Sequence, residues 1–233
     1  MFGKNEINID SQFEDSLRHN VAMTFIWMAA GVGVTTLVSF FCYNSFDFLN
    51  LLYMNSWMPL GLLIAQLGVA IVFTTRLFKM KVTTARIMFL VYAALLGVTI
   101  TTWVMVYGLG SVALAFGLSV GYFAALAVIG YTTRINLMRI GPVLYTGLFI
   151  FIIAEVVLMF MGADIMSMGF AAVGLALFTG ITAYDTQKMK KMYVQFENDE
   201  EMIHRLSIYN AFQLYLDFIN IFLYILRFVG NRN

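Results

Sequence analysis

Seven long apolar runs, separated by short polar connections, account for nearly the whole chain. Stretches of about 18 or more residues without a charge fall at 21–42, 57–75, 87–107 and 111–131, the length a helix needs to cross a hydrocarbon core roughly 30 Å thick. A fifth run, 140–161, is interrupted by Glu155. A sixth, 165–184, ends at Asp185, and a seventh, 206–229, is apolar except for a polar stripe that includes Asp217. The pattern predicts an all-α polytopic membrane protein with seven transmembrane helices. Its parts are an N-terminal tail over 1–20, a membrane domain over 21–229 and a short tail over 230–233. Pro59 and Pro142 fall in predicted first turns, where a missing N–H costs nothing.

Composition agrees with this reading. The 233 residues are 61% hydrophobic and 12% charged, whereas soluble domains carry about 25% charged residues. A net charge of +1 offers no basic stripe for nucleic acid. The single Cys42 rules out an intrachain disulfide framework or a cysteine metal cluster. The acidic start, with Glu6, Asp10, Glu14 and Asp15, is unlike a secretory signal, so the first span is expected to be retained.

The basic residues orient the spans. Lys4 and Arg18, then Arg76, Lys79, Lys81 and Arg86, then Arg134 and Arg139, then Lys188, Lys190, Lys191 and Arg205 all fall on one side. Of the 14 basic residues only Arg227 and Arg232 fall on the other. The positive-inside rule then predicts a cytoplasmic N-terminus and an outside C-terminus. Outer turns at 108–110 and 162–164 are short enough to make tight helical hairpins. Small residues such as Gly61, Ala65 and Gly68 favour close helix packing without marking a function.

Ionisable groups inside an apolar span cost about 2.5–3.5 kcal/mol on insertion scales and are functional candidates by default. Asp217 lies roughly 17 Å into the last span at about 1.5 Å per residue. Asn210, Gln213, Asp217, Asn220 and Tyr224 share an arc of about 80°, a polar face that must be buried against other helices or water. Asp185 is either a solvated carboxylate at a helix end or the partner of Asp217, since both descend from the same membrane side. If they meet, they cannot both ionise in a low dielectric and will share one proton, making the pair a pH sensor. Arg76 is either an anchor of the basic side or the counter-ion of that pair. Glu155 lies towards the outer side, as a neutral core acid or the outer station of an ion path. His19 and His204 lie outside the spans, and no HExxH, GxSxG or paired serine–histidine pattern occurs, so no enzyme is expected.

The segment Leu214-Tyr215-Leu216-Asp217-Phe218-Ile219-Asn220-Ile221-Phe222-Leu223-Tyr224-Ile225-Leu226-Arg227-Phe228 resembles the closing signature of the Bax-inhibitor-1, or transmembrane Bax inhibitor motif, family. Ala183-Tyr184-Asp185-Thr186-Gln187-Lys188 resembles that family's motif in its sixth helix, and Trp27-Met28-Ala29-Ala30-Gly31 its first-helix pattern. The resemblance implies six helices around a central seventh and, in bacterial members, a pH-dependent calcium leak. The family's paired aspartates match Asp185 and Asp217, and its latch arginine corresponds to Arg76; no family role transfers to Glu155. A bacterial inner-membrane protein is expected, with the lipid bilayer and calcium ions as partners, protons as regulator and no resident cofactor. Deprotonation of the pair would offer carboxylate oxygens to Ca²⁺, a hard cation. The rival expectation is a non-transporting regulator that binds a membrane protease or another membrane protein, using the N-terminal tail and Glu197, Asp199, Glu200 and Glu201. A seven-span receptor fits less well, because the outer loops are too short to build a ligand site.

Overall fold

The computed structural model describes residues 2–55, 57–161 and 167–230, with side chains at 2–13, 52, 53, 159 and 160 outside the description. The helices are α1 (Phe2–Tyr43), α2 (Phe46–Met54), α3 (Met58–Arg76), α4 (Val82–Thr132), α5 (Gly141–Phe160), α6 (Met168–Gln195) and α7 (Glu200–Val229). No strand occurs among the described residues. Local chemistry sets several boundaries. Ser45, Ser167 and Asp199 cap α2, α6 and α7 through their side-chain oxygens, and Glu200 and Glu201 sit in the first turn of α7, where negative charge suits the helix dipole.

Six of these helices are long and apolar enough to cross a membrane, and α4, at 51 residues, is one of them. A straight helix of that length would reach roughly 75 Å at about 1.5 Å per residue, far beyond one bilayer. It breaks at Gly108, which alone within it leaves helical geometry, with φ 75° and ψ 155°. Contacts along α7 show that the chain reverses there. Before the break, Phe89 and Tyr92 meet Phe212 and Tyr215, while Tyr107 lies against Gly230. After it, Phe116 meets Phe222 and Phe123 meets Phe218. The first half of α4 therefore runs with α7 and the second half against it, so the predicted turn at 108–110 is made by essentially one residue. Counted as two spans, α4 brings the total to seven.

Helix α7 is the innermost element. Its apolar side is buried by α1, α4 and α6, while α3 reaches it through Phe73 on Phe212, with ring centroids 4.5 Å apart, and α5 through Phe151 on Tyr224 at 6.3 Å. Because lipid is as apolar as the core, packing here depends on shape and on interhelical hydrogen bonds. Thr35 of α1 donates to the Ala93 carbonyl at 2.9 Å and meets the Tyr215 hydroxyl at 2.6 Å, stapling α1, α4 and α7 together. Helices α4 and α6 touch at Gly130, where a Cβ would lie 2.9 Å from the Ala183 Cα and would also strike its carbonyl oxygen.

Three boundaries differ from the sequence expectation. The N-terminal tail is helical from Phe2, continuous with the first span. Helix α6 does not stop at Asp185 but runs to Gln195. Met189 and Tyr193, spaced i+4 and i+8 from Asp185, stay buried on the same face, and the intervening lysines are good helix formers. The short α2, nine residues long, was not anticipated, and it exposes Phe46, Leu51 and Met54. The outer turn at 162–164, the start of the sixth span at Ile165 and the tail at 231–233 lie outside the described residues.

Gly108→Ala is expected to cost about 1–3 kcal/mol, because its backbone conformation is essentially restricted to glycine. Gly110→Ala, which has open space around its Cβ, should be neutral or slightly stabilising. Thermal unfolding of both variants in detergent separates backbone strain from simple loss of a glycine.

Candidate functional site

The polar face of α7 meets the polar face of α6 near the end of the bundle that carries the basic connections. Asp185 and Asp217 are both buried, at 5% and 4% exposure, and interact electrostatically. The sequence places them on different helices, and the α6–α7 hairpin makes them neighbours. Tyr145 of α5 clasps Asp185, its hydroxyl lying 2.9 Å from Oδ1 and 2.7 Å from Oδ2. Asp217 Oδ2 is buried with no hydrogen-bond partner among the described residues. A buried carboxyl oxygen left without a donor is costly if charged, so an ionised Asp217 would need a donor or a cation at this position.

The cation nearest this pair is Lys188, one turn beyond Asp185 on α6 and half-buried, which interacts electrostatically with both carboxyls. Its Nζ lies 5.9 Å from the Tyr184 ring and 5.7 Å from that of Tyr209. Arg76 is elsewhere. It ends α3, is exposed, and has no ion-pair partner among the described residues. Helix α3 turns Phe73 and Leu77 toward the core, both fully buried, and Arg76 lies off that face. Tyr145 and Lys188 are the two site residues that sequence reasoning missed. Tyr145 was one hydroxyl in an apolar span, and Lys188 read as a surface charge because the helix was expected to end before it.

The rest of the α7 stripe divides in two. Towards the basic end, Asn210 is buried beside a polar cluster in which Tyr193 bridges Thr24 at 2.6 Å and Ser207 at 2.9 Å. Gln213 donates to Tyr209 at 3.3 Å, and Asn220 spends its amide on its own helix, donating to the Leu216 carbonyl at 2.8 Å. Towards the other end, the Tyr224 ring packs on Phe151 and Phe178 and closes the stripe with aromatic carbon. Beyond it, Glu155 of α5 pairs with Arg227 of α7 at 3.7 Å, and the guanidinium lies 5.6 Å from the Trp103 ring. The arginine that sequence reading left on the far side is thus the partner of Glu155.

Among the described residues no group of three or more His, Cys, Asp or Glu could hold a metal ion. Calcium takes roughly six to eight oxygens, so the two carboxyls would supply only part of such a shell. Tyr145→Phe removes the donor to both oxygens of Asp185 and is expected to cost about 1–3 kcal/mol. Chemical denaturation in detergent micelles reads that loss directly.

Comparison with known proteins identifies the family. The family model described as inhibitor of apoptosis-promoting Bax1 matches residues 17–233. The inner membrane protein YbhL of Escherichia coli is 35% identical over 217 residues, covering 93% of each chain. An uncharacterized protein of Borreliella burgdorferi is 34% identical over 229 residues, 98% of this chain and 96% of its own length. The protein RP147 of Rickettsia prowazekii is 34% identical over 220 residues, 94% of this chain and 92% of its own. With the match running through every membrane span and the buried Asp185 and Asp217, this chain belongs to the Bax inhibitor family.

Proposed function

We propose that this protein is a pH-sensitive cation leak of a bacterial inner membrane, passing calcium along α7 under the control of the Asp185–Asp217 pair. The observation that carries the reading is the buried Asp217 carboxyl, one oxygen unpartnered, beside a second buried carboxyl clasped by Tyr145. Two such groups in a low dielectric share a proton as one unit. Holding it, they present little charge to a cation. Releasing it creates a negative site that Lys188 alone only half neutralises, and the negative charge left over attracts a cation. With its basic connections cytoplasmic, the pair sits towards the cytoplasmic end, and Tyr224 with the Glu155–Arg227 ion pair closes the outer one. Arg76 would act as a latch only after α3 rotates it inward. The reading needs no enzymatic step and no resident cofactor.

A second reading, a regulator that binds a membrane protease or another membrane protein, draws support from the exposed acidic turn of Glu197, Asp199, Glu200 and Glu201. Co-purification of a stoichiometric partner, lost on deleting residues 1–20 and accompanied by no flux in reconstituted protein, would favour it.

Calcium flux into proteoliposomes across a pH series tests the leak. Wild-type flux should rise with pH, and Asp185→Asn or Asp217→Asn should flatten the profile; a profile that either variant leaves unchanged sinks the mechanism. Opening the outer end gives a separate check. Glu155→Gln, which breaks the ion pair and leaves the carboxyl pair intact, is expected to raise flux at every pH without moving the midpoint, and a shifted midpoint would contradict the division into two ends.

A further inference from the structure

Beside the carboxyl pair, on the lipid-facing side of the same end, lies a cavity of about 420 Å³ between the last turn of α4, the connection at 133–140 and the basic end of α6. Its polar lining comes chiefly from Arg134, Asn136, Gln187, Lys190 and Lys191, and no carboxylate lines it. The floor is aromatic, with Lys190 Nζ 4.6 Å from the Tyr131 ring centroid. Gln187, buried, pins the connection from both sides, donating to the Ile135 carbonyl at 2.8 Å and accepting from the Leu137 N–H at 2.8 Å. Lys191 is aimed across the opening by a 3.1 Å hydrogen bond to the Asn136 side-chain oxygen.

The charge here is unbalanced. Arg18 and Arg205 are each paired with a glutamate one turn away on their own helix, whereas Arg134, Lys190 and Lys191 have no carboxylate partner among the described residues. Three cations lining one cavity, Arg134 on the connection and Lys190 and Lys191 on α6, repel one another, and an anion between them relieves that repulsion. Apolar side chains share the lining, with Ile135 at 71% exposure and Val194 also exposed. A cavity that combines three cationic side chains with an apolar lining, at the end of membrane-crossing helices, matches a molecule with an anionic head and hydrocarbon chains.

We propose that this cavity binds the phosphodiester headgroup of an anionic membrane lipid, with Arg134, Lys190 and Lys191 around the phosphate and the acyl chains leaving over Ile135 and Val194. Arg134 supplies a planar fork suited to phosphate oxygens, the lysines supply point charges, and basic pockets between helices at this membrane level are suited to such headgroups. The site stands independently of the cation path.

The test uses the full chain in detergent, with phosphatidylglycerol and phosphatidylcholine as probes and bound lipid counted by native mass spectrometry. Phosphatidylglycerol should be retained in preference to phosphatidylcholine. R134Q/K190Q/K191Q should weaken that retention roughly tenfold or more, while K79Q/K81Q/R139Q, which removes as much charge outside the cavity, leaves it unchanged. Lys190→Gln alone, with a smaller loss in the same direction, serves should the triple variant not fold. Equal losses in both triple variants would reduce the effect to diffuse surface charge and overturn the site. So would equal retention of the two lipids. Inorganic phosphate that displaces the lipid and binds as tightly on its own would assign the cavity to a soluble anion instead.

Discussion

A carboxyl group in the middle of an apolar helix has to be enclosed, and the rest of this structure follows from enclosing it. In hydrocarbon every polar group must find a partner within the protein, and α7 carries polar side chains along one side from Asn210 to Tyr224. The bundle answers by making α7 its innermost helix, with α1, α4 and α6 pressed around it. The close approach at Gly130, the Thr35 staple to Tyr215 and the reversal at Gly108 bring those helices near enough. Asp217 is then buried away from lipid, though its Oδ2 has no hydrogen-bond partner among the described residues.

The same enclosure divides the stripe of α7. Hydroxyls, amides and the carboxyl pair gather towards the basic end, whereas aromatic rings fill the opposite half before an ion pair closes it. A continuous hydrophilic path is therefore absent along the described stripe, and conduction would require the Tyr224 rings and the Glu155–Arg227 pair to move. The polar cluster of Thr24, Tyr193, Ser207 and Asn210 lies between the carboxyls and the basic end, the side from which protons would reach them under the proposed mechanism. The lipid-facing cavity shares this end, held by Gln187 only two residues from Asp185. Headgroup and proton would thus act on neighbouring turns of α6.

Much of this was legible from residue order. Hydrophobic run lengths revealed seven spans, because a helix crossing hydrocarbon needs a nearly fixed number of apolar residues. Helical periodicity placed Asn210, Asp217 and Tyr224 on one face, because that face is set by the 100° turn between residues. The expense of a buried charge singled out Asp185, Asp217 and Glu155. Each of these inferences rests on a short-range rule that holds whatever surrounds the helix.

Partner identity was a different matter. Tyr145 as the clasp of Asp185, Lys188 as the nearest cation, Arg227 as the mate of Glu155 and the outward position of Arg76 all depend on how separate helices rotate against one another. The continuation of α6 past Asp185 belongs with them in part, since the burial of Met189 and Tyr193 accompanies it, as do the helix-forming lysines between them. Rotation is chosen by close packing at a few small residues and by interhelical hydrogen bonds, and neither leaves a periodic mark in the chain. The sequence by itself determined which groups had to be buried; only the tertiary structure decided which groups would meet them there.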